Sequence, residues 1–323
     1  MDGNREEPGD LERLTALGEA ARDLARASRA PNTLRAYRSD WRDFTGWCSD
    51  HALEALPARP ETVALYLAGM AGGGAHAVTI QRRLSSISQA HQAAGHVPSP
   101  TQDFAVRQVM RGIRRTLGVA PTGQRTPLTA GELRRLVQAT PEGTLAGLRD
   151  RALLLVGHLG AFRRSELVAL DLEDVDETAD GLGLRVRRSK TDQEGEGLRK
   201  GIPRRRDPAI CPVAALRAWL DAAEIASGPV FRAVNRHDQP GQGRLSDRAV
   251  ALVVKRACGR AGLDPARYAG HSLRAGFATA AAEGGAPERA IMRQGGWTSE
   301  AMVRRYIRMA NLFQENAAGY VDL

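Results

Sequence analysis

At 323 residues with 42% hydrophobic side chains, the chain is long enough for two domains, each with its own core. A net charge of +9, carried far more by arginine than by lysine, suggests a polyanionic partner such as nucleic acid. Cys48, Cys211 and Cys258 are widely spaced and odd in number, which argues against a disulfide framework or a zinc site; with no bilayer-length apolar run and no visible signal peptide, a cytoplasmic protein is expected.

Residues 1–28 are polar and acid-rich and read as a flexible tail, with Leu11, Leu14 and Leu17 allowing a short helix at most. From Pro31 the pattern sharpens. Leu34, Tyr37, Trp41, Phe44 and Trp47 or Cys48 make one apolar stripe on a helix capped by Asn32 or Thr33. Aromatic residues at this spacing belong to a core rather than to a base-stacking platform. Pro60 to Met70 predicts a second helix. A third runs from about Ala77 to Ala94 and turns Ile80, Leu84 and Ile87 inward. Its other face carries Thr79, Gln81, Arg82, Arg83, Ser85, Ser86 and Gln89, a mixture that suits base edges and phosphates or is simply solvated. A further helix from about Thr101 to Leu117 is decorated by Arg107, Arg111, Arg114 and Arg115, which suit phosphate contacts. Residues 29–118 therefore read as a bundle of four or five helices with a basic, polar surface.

The stretch GVAPTGQRTP lacks large apolar groups and marks a linker, placed at 119–127; two lobes on such a tether suit a clamp around duplex DNA. The second domain, 128–323, opens with a capping box, Thr129 with Glu132. Leu145 to Leu159 is a buried helix ended by Gly160, followed by GAFRRSELVALDLEDVD. Leu182, Leu184 and Val186 alternate with arginines as in a half-exposed strand. A charged turn, SKTDQEGEG, leads to a short strand near Ile202, so the pair reads as a hairpin. A helix from Cys211 to Ile225, a short strand at Pro229 to Phe231, and a helix from Ser246 or Asp247 to Gly259 follow. Arg244, before that last helix, is a candidate for a groove contact.

The most informative stretch is AGHSLRAGFATAAAEGGAPERAIMRQGGWTSEAMVRRYIRMA. His271 and Arg274 share one face of a first helical turn, and Gly284-Gly285 stops that helix. Pro287 suits the start of a short helix ending near Gly295-Gly296, and Trp297 precedes a last helix bearing Tyr306. Arginine forks phosphate oxygens, histidine moves protons near neutral pH, and tyrosine becomes a nucleophile when a base or strong electrostatics offset its pKa of about 10. Singly, each residue reads as packing or surface; the order H-x-x-R, G-G-W-T, then Tyr is much rarer.

That order resembles the C-terminal signature of the tyrosine recombinases, the phage-integrase family, and most of all the Cre-type branch. VPSPTQDFAVRQVMRGIRRT similarly resembles its core-binding domain, though helical bundles share patterns easily. The resemblance implies a mainly α protein with a small β-sheet: an N-terminal helical core-binding bundle and a C-terminal α/β catalytic domain, forming a C-shaped DNA clamp. It implies Tyr306 as nucleophile, His271 and Arg274 at the scissile phosphate, and Trp297 as a hydrogen-bonding and packing member of the site. The family pattern G-x-R-x-x-E maps onto Arg163 and Glu166, with Arg164 a competitor because this chain reads GAFRRSE. The hairpin lysine that protonates the leaving 5′-oxygen maps onto Lys190, with Lys200 as runner-up. The implied partners are double-stranded DNA bearing an inverted-repeat site and three further copies of the chain, in a homotetramer whose C-terminal tails link subunits. No metal, cofactor or membrane is expected, and the implied setting is a bacterial or phage- or plasmid-encoded protein at the nucleoid. A type IB topoisomerase and a non-catalytic DNA-binding relative are the competing readings.

Overall fold

In the computed structural model, which describes residues 8–28, 30–119, 125–189, 197–310, 318 and 321, the chain divides into two units, Met1–Gly123 and Gln124–Leu323. The first unit opens with α1 (Pro8–Ala27), so the segment expected as a flexible tail is helical over twenty residues, with Leu14, Leu17 and Leu24 exposed. Prolines set the next starts: α2 is Pro31–Asp50 and α3 is Pro60–Gly72, each with its proline in the first turn, where the missing N–H costs nothing. Helix α4 is Ala77–Ala93. The helix expected from Thr101 is divided into a 3-10 turn, Pro100–Gln102, and α5 (Phe104–Leu117). Asp103 causes the break: its carboxylate accepts the Ala105 N–H at 2.7 Å and so caps α5. Phe44, Cys48, Tyr66, Leu67, Ile80, Ile87, Val106 and Met110 bury the facing stripes in one cluster, with Trp41 and Trp47 packed at its margin.

The second unit begins with α6 (Ala130–Gln138), whose capping box pairs the Thr129 hydroxyl with the Glu132 N–H at 3.2 Å and the Glu132 carboxylate with the Thr129 N–H at 2.8 Å. Next come α7 (Leu145–Leu159) and the short α8 (Arg164–Ala169). Three antiparallel strands follow in the order β1 (Val175–Glu177), β2 (Gly181–Val186), β3 (Leu198–Pro203). Leu182, Leu184 and Val186 are buried on one face of β2 while Arg185 is exposed on the other. After α9 (Pro212–Ala222) a second hairpin, β4 (Arg232–Val234) with β5 (Pro240–Arg244), replaces the expected strand at Pro229 and loop. Its sequence, PGQGR, has no apolar alternation, so periodicity does not reveal it; Asn235 forms the turn by accepting the His237 and Gln239 N–H groups.

Helices α10 (Asp247–Arg260), α11 (Gly270–Glu283), α12 (Glu288–Gly295) and α13 (Glu300–Ala310) complete the described chain. The main core gathers α7, β2, α9 and α10 around Leu153, Leu154, Leu184, Trp219, Phe231 and Val253. A separate cluster joins α11, α12 and α13 through Ala275, Ala278, Ile291, Trp297, Val303 and Tyr306. The alanines of α11 let α13 approach closely, which sets the distance between His271 and Tyr306. Among the described residues no helix is long and apolar enough to cross a membrane, and no group of His, Cys, Asp and Glu has metal-binding geometry.

Candidate active site

Arg274 is the centre of the site. It sits in the first turn of α11, 2% exposed, with its guanidinium 3.9 Å from the centre of the Trp297 ring. Its Nη1 donates to the Ala161 carbonyl at 2.6 Å and to the Gly295 carbonyl. Its Nη2 is buried and has no hydrogen-bond partner. A buried unpaired donor costs about 1–3 kcal/mol, so the site carries an unmet demand for an acceptor. Burial, reinforced by Arg163, lowers Arg274 to about 10, which leaves it charged at neutral pH.

Two helices bring a base to a phenol. His271 precedes Arg274 by one turn, and its Nε2 lies 3.3 Å from the Tyr306 hydroxyl on α13. Burial, then the charges of Arg274, Arg164 and Arg163, push His271 below the usual imidazole range, so it is neutral near pH 7 and able to accept a proton. Burial raises Tyr306 above the usual phenol range, partly opposed by Arg274 and Arg305. Trp297 packs beside the tyrosine: it is 6% exposed and its ring centre lies 6.0 Å from that of Tyr306, while His271 stays open to solvent. It is seated by two glycines. A Cβ on Gly295 would fall 1.8 Å from the Trp297 ring, and Gly296 ends α12 in the left-handed region at φ 64°.

Arg163 stands just before α8, where its N–H donates to Glu166 at 3.0 Å and its guanidinium pairs with the same buried carboxylate. Its Nη2 also reaches the Gly296 carbonyl at 3.5 Å. Arg164 is exposed and approaches Asp247 at 3.8 Å, on the side of α10. Lys190 lies outside the described residues. Lys200 is internal: it is 1% exposed on β3 and donates to the Gly160 and Gln294 carbonyls.

The residues expected to touch DNA divide into two groups. Arg107, Arg111 and Arg114 line a groove between α4 and α5 together with Gln81, Ser85 and Ser88, and Arg115 is exposed nearby on α5. Arg114 donates to the Gln81 side-chain carbonyl at 2.6 Å. Thr79 is half-buried on α4. Others are also bonded to neighbouring elements. Ser86 is buried and donates to the Tyr37 carbonyl at 2.9 Å, so it holds α4 to α2 rather than facing outward. Arg82 pairs with Asp40 at 2.5 Å, and Arg83 donates to Asp43 and to the Tyr66 hydroxyl. Arg244 donates to the Val168 carbonyl at 2.6 Å and pairs with Asp171, tying β5 to the end of α8. Each of these polar residues sits beside a buried acceptor that a periodicity argument cannot locate. The backbone carbonyls of Gly160, Ala161, Gln294 and Gly295 were likewise invisible as site groups, since no side-chain pattern marks them.

Known proteins resemble the chain in sequence and in fold. Residues 127–312 match the phage integrase family, and residues 22–96 match the phage integrase N-terminal SAM-like domain. An integrase/recombinase XerD homolog of Selenomonas ruminantium is 43% identical, covering 95% of this chain and 90% of that protein. The Cre recombinase of Escherichia phage P1 is 25% identical over 91% of this chain and 88% of its own. In fold, the chain is similar to a Tn1549 transposon integrase in complex with transposon right end DNA, with a TM-score of 0.60 and 16% identity, covering 89% and 92% of the two chains. A lambda integrase dimer bound to a COC′ core site gives a TM-score of 0.57 at 20% identity, covering 91% and 94%. These matches define the class of protein as a recombinase of DNA. The chain belongs to the phage integrase family of tyrosine recombinases and is a site-specific recombinase.

Proposed function

We propose that Tyr306 attacks a DNA phosphodiester, forming a 3′-phosphotyrosyl link and releasing a 5′-hydroxyl. The observation that carries this reading is the pairing of His271 with Tyr306 at 3.3 Å beside a buried arginine with a free donor. His271 takes the phenolic proton as the Tyr306 oxygen bonds to phosphorus. Arg274 and Arg163 neutralise the non-bridging oxygens of the phosphorane, helped by His271 and Trp297, and electrostatics of this kind is often the largest single contribution. Arg163 is preferred over Arg164 because it is held by Glu166 and reaches Gly296, whereas Arg164 leans toward Asp247. Lys190, between β2 and β3 in sequence, protonates the leaving 5′-oxygen.

The phosphotyrosyl bond conserves the energy of the broken phosphodiester, so the 5′-hydroxyl of a second duplex can attack it and return the tyrosine. Two such exchanges pass through a Holliday junction, with four subunits on two inverted-repeat sites. In this reading residues 29–118 are the core-binding domain, 119–127 the linker and 128–323 the catalytic domain with its subunit-linking tail. The α4–α5 groove contributes Arg107, Arg111 and Arg114 to DNA phosphates, with Gln81 at a base edge. The protein then works at the nucleoid of a bacterial cytoplasm.

Covalent trapping tests the chemistry. Wild type and Tyr306→Phe are incubated with a nicked duplex selected from a random pool for binding to the Phe variant, then run on a denaturing gel. An adduct from wild type alone, with a free 5′-hydroxyl, is expected. Adducts from both proteins would move the nucleophile elsewhere, with Tyr320, outside the described residues, as next candidate. Relaxation of any supercoiled plasmid regardless of sequence would favour topoisomerase activity; binding without an adduct would favour a non-catalytic protein.

A further inference from the structure

Two cations bridge the same two chain segments, one behind the other. Arg274 joins the carbonyls of Ala161 and Gly295. Lys200 joins the carbonyls of the residues immediately before them, Gly160 at 2.8 Å and Gln294 at 2.7 Å. Both segments are helix C-termini, α7 and α12, where unpaired carbonyls concentrate negative potential and favour a cation. The Lys200 ammonium also lies 4.8 Å from the centre of the Phe162 ring. Gln294 closes the clasp from the other direction, its side-chain amide donating to the Leu159 carbonyl at 3.0 Å and the Gly201 carbonyl at 2.9 Å. Thus β3, α7 and α12 are locked together one residue behind the carbonyls that hold the Arg274 guanidinium.

We infer that Lys200 is a positioning residue for strand cleavage: it fixes the Ala161 and Gly295 carbonyls, and through them Arg274, rather than delivering a proton. This inference rests on the proposed role of Arg274. A proton donor to the leaving oxygen must reach that atom, and the Lys200 ammonium instead faces two carbonyls and a ring with 1% of the side chain exposed. Burial is also what pushes Lys200 down to about 7; Glu166 opposes that shift, and Arg274 and Arg163 add to it.

The test is single-turnover cleavage of the selected nicked duplex by the full chain. Lys200→Met is expected to keep its half-saturating concentration and to lose about 100-fold in the cleavage rate constant, the cost of misplacing an aligned group by ~1 Å. Gln294→Ala, at a half-buried position, is expected to lose about 10-fold by the same route, and it carries the test alone if Lys200→Met does not melt cooperatively. With sulfur in place of the bridging 5′-oxygen, the leaving group needs no proton. Both deficits should persist on that substrate; recovery by Lys200→Met would make Lys200 the acid and overturn the inference. Arg274→Ala combined with either variant should cleave no slower than Arg274→Ala alone, whereas additive losses would overturn it. Wild-type rates in both variants would refute the inference alone. A wild type that forms no adduct would remove the proposed chemistry and the inference with it.

Discussion

His158 on α7 should make the protein acid-sensitive in a defined window. The side chain is 3% exposed, packs edge-on against Phe277, and has a buried Nδ1 without a hydrogen-bond partner. Burial alone lowers it from 6.5 to about 4, with no neighbouring charge contributing. The folded protein therefore keeps His158 neutral while the unfolded chain takes up a proton between those values. Stability from this group is fully present above pH 6.5 and is lost as pH falls toward about 4. At about 1.4 kcal/mol per pH unit, the loss is about 3 kcal/mol, a large part of an ordinary folding free energy of about 5–15 kcal/mol. His158→Phe keeps the ring and removes the titration. Urea unfolding of wild type and His158→Phe at a series of pH values from 7 to 4 isolates the effect, because every other titrating group is common to both. The stability of the variant relative to wild type should rise by about 3 kcal/mol across the series. Parallel curves would show that His158 titrates normally and would refute the reasoning.

Four further outcomes follow from the same structure. Cleavage should need neutral His271, so its rate should fall as pH drops through a value below 6.5, and His271→Gln should abolish that limb; an unchanged profile in the variant would dismiss His271 as the base. Lys200 contributes the opposite end of the pH scale. Its depressed pKa means stability is gained as pH rises from about 7 to 10.5, on the order of 5 kcal/mol, and Lys200→Met should lack that slope in urea titrations. In the first unit, Arg111→Ala should weaken binding to all duplexes alike and reduce the slope of log affinity against log salt by about 0.9. Ser86→Ala should leave that slope unchanged and cost about 1 kcal/mol of stability through the lost Tyr37 bond; a binding defect would instead place Ser86 at DNA.

Most of the helical framework was legible because its signals are local. Pro31, Pro60, Thr129 and Gly160 mark starts and stops by backbone geometry and capping, and apolar stripes mark the buried faces. The second hairpin was not legible, because β5 runs through Gly241, Gln242 and Gly243 without a buried face. Nor was α1, whose described leucines remain exposed, so that no buried stripe announces it.

The sequence by itself determined the family, through the ordered residues His271, Arg274, Trp297 and Tyr306, since side-chain chemistry at fixed spacing is written directly in the chain. The resemblance those residues carry implied the fold class as well, and caps and periodicity placed most of the helices. Only the tertiary structure decided what those groups contact. The 3.3 Å approach of His271 to Tyr306 depends on how closely the alanines of α11 let α13 pack. The holds on Arg274 and Lys200 are backbone carbonyls at helix ends far away in sequence. Ser86, Arg82, Arg83 and Arg244, polar on any linear reading, also tie one element to another, because their acceptors come from other elements. A linear pattern specifies which face a residue occupies; the partner across that face exists only once the chain has folded.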